Sequence, residues 1–329
     1  MQINKLFQII IIILIILIIV SFYIIFLPIS FFSSSSKVID INKGMSTSDI
    51  AVLLKNEKLI KSTLFFKIIC YIRGGSLKAG EYELNTNMNL WRIVGILKIG
   101  KVKLYKITIP EGFTLRQIAE LLDTNKLIDK GRFIELTYNK DTIERFKIKA
   151  KSLEGFLFPD TYYLKKGISE EDILSLMIKR FNEIIEKNNI YNLAKQKKIN
   201  FYDLIKIASL VEKEAKLDSE REIIAGIFLK RLKLHMKLES CASVLYALNN
   251  IGINKTHLTD TDLKINSVFN TYIHYGLPPT PICNPGLKSI LAVLNSPDTN
   301  YLYFVSKKDG THEFSTTLEE HLKAKKKLK

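Results

Sequence analysis

Cysteine is scarce. Cys70, Cys241 and Cys283 are odd in number, far apart and never in C-x-x-C spacing, which argues against both a disulfide framework and a zinc site. They read as small buried hydrophobes. His235, His257, His274, His312 and His321 lack any H-x-x-x-H or H-E-x-x-H spacing, so no two of them would share a helix face as ligands. The expectation is a protein without metal or cofactor. Arginine is sparse beside lysine, and no run combines clustered arginine with interleaved aromatics. The formal charge of +16 therefore reads as solvated surface, and nucleic-acid binding is not expected. Such a balance still favours encounter with anionic lipid or an acidic polymer.

Charge is absent altogether from Leu6 to Phe32, and Ile9 to Val20 is an unbroken apolar run. The stretch exceeds the roughly 20 residues a helix needs to cross a bilayer. A cleaved signal peptide would have a shorter apolar region, of about 7 to 15 residues, and an A-x-A-like site; the only candidate cut is at Ser33 to Ser36. Lys5 and the amino terminus precede the span, which places the N-terminus in the cytoplasm under the positive-inside bias. Most of the chain would then lie outside the inner membrane.

After a Ser-rich joint, alternation at Lys37 to Ile41 predicts a strand, Asn42-Lys43-Gly44 a turn, and Ser46 to Lys58 a helix capped by Ser46 with Asp49. Lys103 to Ile109, Pro110-Glu111-Gly112 and Thr114 to Asp123 repeat that order. Between them, Leu77 to Tyr82 enters a strand and Asn89 to Lys98 is helical. Units of this size resemble LysM-type carbohydrate modules. A basic, polar stretch from Asn139 to Lys151 marks a boundary. Beyond it, Leu153 to Tyr163 sets aromatics around Gly155 and Pro159 and predicts a fixed loop. Helices are expected at Glu170 to Lys187, Tyr202 to Ala215 and Ser219 to Leu234, the last with Ser219 and Glu222 in capping-box spacing. Another begins with Leu238 to Asn249. Pro278, Pro279 and Pro281 exclude helix and hold an extended wall, Asn284-Pro285 opens a helix through Leu294, and Asp309-Gly310 turns a hairpin. Leu318 to Leu328 reads as a basic, solvated end. The expected architecture is α+β: an anchor and joint over 1–36, a LysM-like α+β subdomain over 37–150, and an α+β catalytic domain over 151–329.

The most informative segment is Ile207 to Ala215. At about 100° per residue, Leu204, Ile207, Ala208, Val211 and Ala215 form an apolar stripe. Glu212 and Glu214 flank it on opposite sides, and the helical wheel does not choose between them. A glutamate at an apolar margin suits a general acid, because partial desolvation disfavours the carboxylate.

The run Ala208 to Glu214, with Ser219-Glu220-Arg221 and Phe228 to Leu232, resembles the catalytic region of the endolytic murein transglycosylases, the YceG-like family. The resemblance continues through Leu153 to Tyr162, Asn270-Thr271-Tyr272, Gly276 to Pro279 with Pro281-Ile282, Asn284-Pro285-Gly286, and Tyr301 to Val305 with His312 and Phe314. It covers nearly the whole chain. That many separated motifs in one order make coincidence very improbable. The resemblance assigns catalysis to the second glutamate of the E-K-E run, Glu214. One departure stands out. Relatives commonly have Gln, a small residue, Asp and Pro before a Thr-Val-x-Tyr run, whereas this chain reads Glu239-Ser240-Cys241-Ala242-Ser243-Val244-Leu245-Tyr246.

The resemblance implies a non-hydrolytic cut of the β-1,4 bond between N-acetylmuramic acid and N-acetylglucosamine within peptidoglycan strands. Glu214 would act first as acid and then as base, so no second carboxylate is required, unlike in an ordinary glycosidase. It further implies glycan strands as substrate and cell-wall synthases as possible partners. Asn270 and Tyr272 are uncharged candidates for the acetamido groups, or else a turn cap and a core residue. Pro278 and Pro279 would shape the groove. Asp160 and Glu154 would line it or brace their loop, and Glu212 would join the site or pair with Lys216.

Overall fold

A computed structural model describes residues 2–31 and 35–328; Ser33 and Ser34 of the expected joint lie outside the described residues. Helix and small two-stranded sheets coexist, as the α+β reading requires. The chain forms two compact units. One holds the residues up to Tyr105 with Tyr163–Gly167, and the other holds Lys106–Tyr162 with Ile168–Lys329. This division falls earlier in the chain than the boundary drawn near residue 150.

In the first unit, α1 (Gln2–Phe26) is long and apolar enough to cross a membrane. Strand β1 (Ser36–Ile41) pairs antiparallel with β2 (Gly80–Asn85), with Ile39 opposite Tyr82. Helices α2 (Thr47–Asn56), α3 (Thr63–Ile72) and α4 (Leu90–Ile99) complete the unit. The capping box at Ser46 and Asp49 forms as expected, and Asn89 caps α4. Helix α3 was not foreseen: in TLFFKIICYI apolar residues occupy two opposite faces, so the pattern does not mark which of them is buried. Ile39, Ile41, Leu54, Phe66, Tyr82, Ile93 and Leu97 form the core, each fully buried side chain contributing about 1.5–3 kcal/mol.

Strands β3 (Leu104–Thr108) and β4 (Thr161–Lys165) carry the chain from one unit to the other and back. In the second unit come α5 (Leu115–Thr124), α6 (Lys130–Tyr138), α7 (Lys140–Arg145), α8 (Glu170–Lys187) and α9 (Ile190–Gln196). Then follow α10 (Phe201–Glu214), α11 (Arg221–Lys233), α12 (Cys241–Asn250), α13 (Leu287–Asn295), the hairpin β5 (Tyr303–Ser306) and β6 (His312–Ser315), and α14 (Leu318–Leu328). Helix α10 packs against α11, α12 and α13. Its stripe of Leu204, Ile207, Ala208 and Val211 is buried, as the wheel required.

Two caps differ from expectation. Helix α11 begins at Arg221, and Ser219 lies in a 3-10 turn before it, so the Ser219–Glu222 box does not form. Glu220 instead accepts from the His312 backbone N–H and lies 2.7 Å from His312 Nδ1. Helix α13 starts after Gly286, and Asn284 does not cap it. The Asn284 side chain accepts from the N–H groups of Gly155 (3.0 Å) and Leu157 (2.9 Å) and donates to Phe113 O and Glu154 Oε1. A Cβ on Gly155, whose φ is +91°, would come within 2.6 Å of Pro281. Glycine is therefore required where this loop closes on the proline wall.

Candidate active site

Helix α10 ends at Glu214, and Ala215 leaves helical geometry with its N–H still bonded to Val211 O. The last side chain thereby emerges where the helix stops. Glu214 Oε1 accepts a hydrogen bond from Ser240 Oγ at 2.5 Å and another from the Ala242 N–H at 3.2 Å. Ser240 is the N-cap residue of α12, yet its hydroxyl makes no cap bond to its own helix and goes to Glu214 instead. Two donors on one oxygen hold the carboxyl group in place. The partial positive end of α12 also faces it.

Ser240 is held in turn by its surroundings. Its N–H donates to Thr271 Oγ1 at 2.9 Å, and the N–H of Glu239 donates to Thr271 O. Glu239 has φ +52°, in the left-handed region that non-glycine residues seldom occupy. Such conformations persist where the surrounding structure determines them, and they cluster at functional sites.

Glu214 opens into a cleft of about 450 Å³ whose walls include Arg231, Glu239, Cys241, Tyr272, Tyr303, His321 and Lys325. The Arg231 guanidinium donates to Glu239 Oε2 at 2.9 Å and to the carbonyls of Lys237, Leu238 and Leu302, and it lies over the Tyr303 ring. His321 stacks on the other side of this region, its ring 5.3 Å from that of Tyr303. Desolvation raises the Tyr272 hydroxyl and the Cys241 thiol above their ordinary values, so both stay protonated near neutral pH. They lie 3.1 Å apart. Cys241, at the position where the resemblance leads one to expect aspartate, thus lines the cleft.

The structure separates the candidate residues. Glu214 and Tyr272 meet in the cleft. Glu212 points elsewhere: Oε1 accepts from Arg221, and Oε2 accepts from the Gly286 N–H (2.9 Å) and Ser289 Oγ (2.8 Å). It binds α10 to α11 and α13, and its partner is Arg221, where the sequence suggested Lys216. Asn270 is fully buried; it donates to Leu263 O and Ile265 O and accepts from the Tyr272 N–H, which seats Tyr272. Asp160 pairs with Arg180 at 2.7 Å and accepts from the Thr161 N–H. Pro278 is buried and does not line the cleft. Glu154 is buried as well, accepting from the Leu115 N–H, Tyr246 Oη and Asn284 Nδ2. Burial pushes it up to about 8 despite those donors.

Sequence reasoning gave no role to Arg231, Ser240, His321 or Lys325. The last two lie on α14, read above as a solvated end. Leu318, His321, Leu322 and Lys325 recur at i, i+3, i+4 and i+7 and all line the cleft, a periodicity that the lysine-rich composition masks. Among the described residues no cluster of His, Cys, Asp or Glu has metal-binding geometry.

Comparison with known proteins gives a consistent picture. The profile of the YceG-like family matches residues 39–327. The endolytic murein transglycosylase of Bacillus subtilis strain 168 is 36% identical over 317 residues, which take in 91% of this chain and 87% of that protein. The endolytic murein transglycosylase of Streptococcus pneumoniae D39 is 30% identical over 325 residues, 90% of this chain but 59% of that longer protein. A crystal structure of a yceG-like protein from Listeria monocytogenes superposes with a TM-score of 0.61 at 34% identity, covering 89% of this chain and all of that one.

Proposed function

This chain belongs to the YceG-like family, and on that premise we propose that it is an endolytic peptidoglycan lytic transglycosylase with Glu214 as its acid and base. The observation that carries the assignment is the Glu214 carboxyl group, held at the cleft wall by Ser240 Oγ and the Ala242 N–H. Protonated Glu214 gives its proton to the glycosidic oxygen between N-acetylmuramic acid and N-acetylglucosamine as positive charge develops at C1 of the muramic acid. The carboxylate left behind takes the proton from the C6 hydroxyl of the same sugar. That oxygen closes on C1, giving a 1,6-anhydro end, a free hydroxyl on the leaving strand and a regenerated acid. No water is consumed. Tyr272 donates to the sugar from the cleft, and Arg231 with Glu239 forms its charged edge. Cuts within a nascent strand end its elongation.

One further carboxylate reaches this cleft. Glu239 lies on its wall, paired to Arg231, and as a second catalytic carboxylate it would make the protein a hydrolase. Digestion of purified glycan strands separates the two reactions. Transglycosylation yields termini lighter by one water than the reducing sugars left by hydrolysis, and Glu214→Gln abolishes either. Reducing ends from the parent protein would overturn the proposal.

The helix α1 serves as a single-pass anchor in the inner membrane, with the N-terminus in the cytoplasm and the cleft outside. The support is an apolar span of 22 residues, Lys5–Phe26, whose most apolar 18-residue window has a mean hydropathy of 3.6. Of the LysM-like stretch 37–150, the part in the first unit contacts glycan or neighbouring synthases. The region from 151 onward carries the chemistry. Retention in the membrane after alkaline carbonate extraction tests the anchor.

A further inference from the structure

Helix α3 buries one face and exposes another that is equally apolar. Phe66, Ile69 and Cys70 lie in the core, at 0%, 3% and 8% exposure. Leu64, Ile68, Tyr71 and Ile72, spaced i, i+4, i+7 and i+8, form one stripe on the opposite side. Their exposures are 62%, 39%, 88% and 65%. An exposed stripe of this kind on a folded domain marks a contact surface.

Its position says what it contacts. The residues flanking α3 reach the last turn of α1, one directly and the other through Trp91 of α4. At the start, Lys61 Nζ donates to Tyr23 O (3.1 Å) and Leu27 O (3.0 Å) and sits over the Tyr23 ring. At the end, the Arg73 guanidinium donates to Trp91 O and lies 4.6 Å from the centre of the Trp91 ring, which stacks on Phe26. A ten-residue helix is only about 15 Å long, so the whole stripe runs beside the point where the apolar span ends. That point is the boundary between hydrocarbon and headgroups, where Trp, Tyr, Lys and Arg accumulate.

Charge agrees with position. No Asp or Glu occurs from Lys58 to Gly80 or from Leu84 to Pro110, the two stretches that hold α3 and α4. Lys67 lies within the exposed stripe, on a stem long enough to bury while its ammonium stays among phosphates. An apolar helix face edged by cations matches an anionic leaflet.

We propose that α3 lies in the headgroup layer of the anionic leaflet from which α1 emerges, as a second, interfacial attachment that fixes the first unit against the membrane. This rests on α1 being a membrane span. The chain has a single tryptophan, Trp91, and the doubly substituted Trp91→Phe, Ile72→Trp moves that reporter to the exposed stripe. Both forms are reconstituted into vesicles of phosphatidylglycerol and phosphatidylcholine, with and without bromine on the upper part of the acyl chains. Carbonate extraction of the same vesicles reports on α1 separately. The expected result is that the tryptophan at position 72 loses most of its emission to brominated lipid, and that Lys67→Glu restores a large part of it. Full emission from a carbonate-resistant protein would overturn the interfacial placement while leaving the anchor standing, and is what a protein covering this face would produce. Release by carbonate would remove the anchor and this inference together.

Discussion

Glu212 and Glu214 stand two residues apart on one helix and belong to different worlds. Glu212 sits in a closed seam, its oxygens occupied by Arg221, Ser289 and the first N–H of the α13 turn. Glu214 sits where α10 stops, facing a cleft, with two donors on one oxygen. The difference teaches that a carboxylate whose partners are all internal holds helices together, whereas one at a helix end beside space is available for proton transfer. Glu154 resembles Glu212 in this respect, enclosed by Leu115, Tyr246 and Asn284.

The largest expected effect tests that contrast directly. Glu214→Gln should lower strand cleavage by about 10²–10⁴-fold, the usual worth of general acid–base catalysis, with little change in thermal unfolding. A fall in stability instead of activity would reverse the roles of the two residues. Glu212→Ala should do the opposite, costing roughly 3 kcal/mol because Arg221 is left buried with the exposed Asp218 as its one remaining salt-bridge partner, beside the neutral Ser289 hydroxyl. Activity per folded molecule should persist, as measured by cleavage after correcting for the folded fraction. Next comes Ser240→Ala, which removes a charge-assisted bond. A loss of about tenfold in kcat, with a displaced pH–rate profile and KM nearly constant, would show that Ser240 positions Glu214; an unchanged pH profile would make it merely structural.

The smallest effect concerns Glu154. Its folded value is raised from 4.5 to about 8 by burial, so the native state binds a proton that the unfolded state has already released between those pH values. The stability from this proton is fully present below about 4.5 and is lost as pH rises through about 8. Thermal unfolding should therefore shift down by a few degrees from pH 6 to pH 8, and Glu154→Gln should flatten that slope. An equal slope in both forms would mean that the three donors, and not burial, govern this carboxyl group.

Much of this was legible in order along the chain. The Ser46–Asp49 box, the Asp309-Gly310 hairpin and helix α8 all form where local pattern placed them, because capping, turn geometry and amphipathic periodicity act within a few residues. Helix α3 was invisible for a physical reason: it has a second apolar face, so no contrast marks the buried one. The segment around Glu154 reads as lining the groove or bracing its loop, and Asn284 as opening a helix. Together they form a buried knot across more than a hundred residues, and polar residues dense in Gly and Pro look alike whether they brace a loop or bind a ligand.

By itself, the sequence determined the apolar span, the α+β character, the stripe of α10 and, through its likeness to one family, the choice of Glu214. Only the tertiary structure decided that Ser240 gives its hydroxyl to Glu214 and not to its own helix, that Glu212 serves the seam, and that α14 closes the cleft with His321 and Lys325. Those outcomes depend on which distant elements pack together. A residue's type sets what bonds it can make, but its neighbours across the fold set which of them it does make.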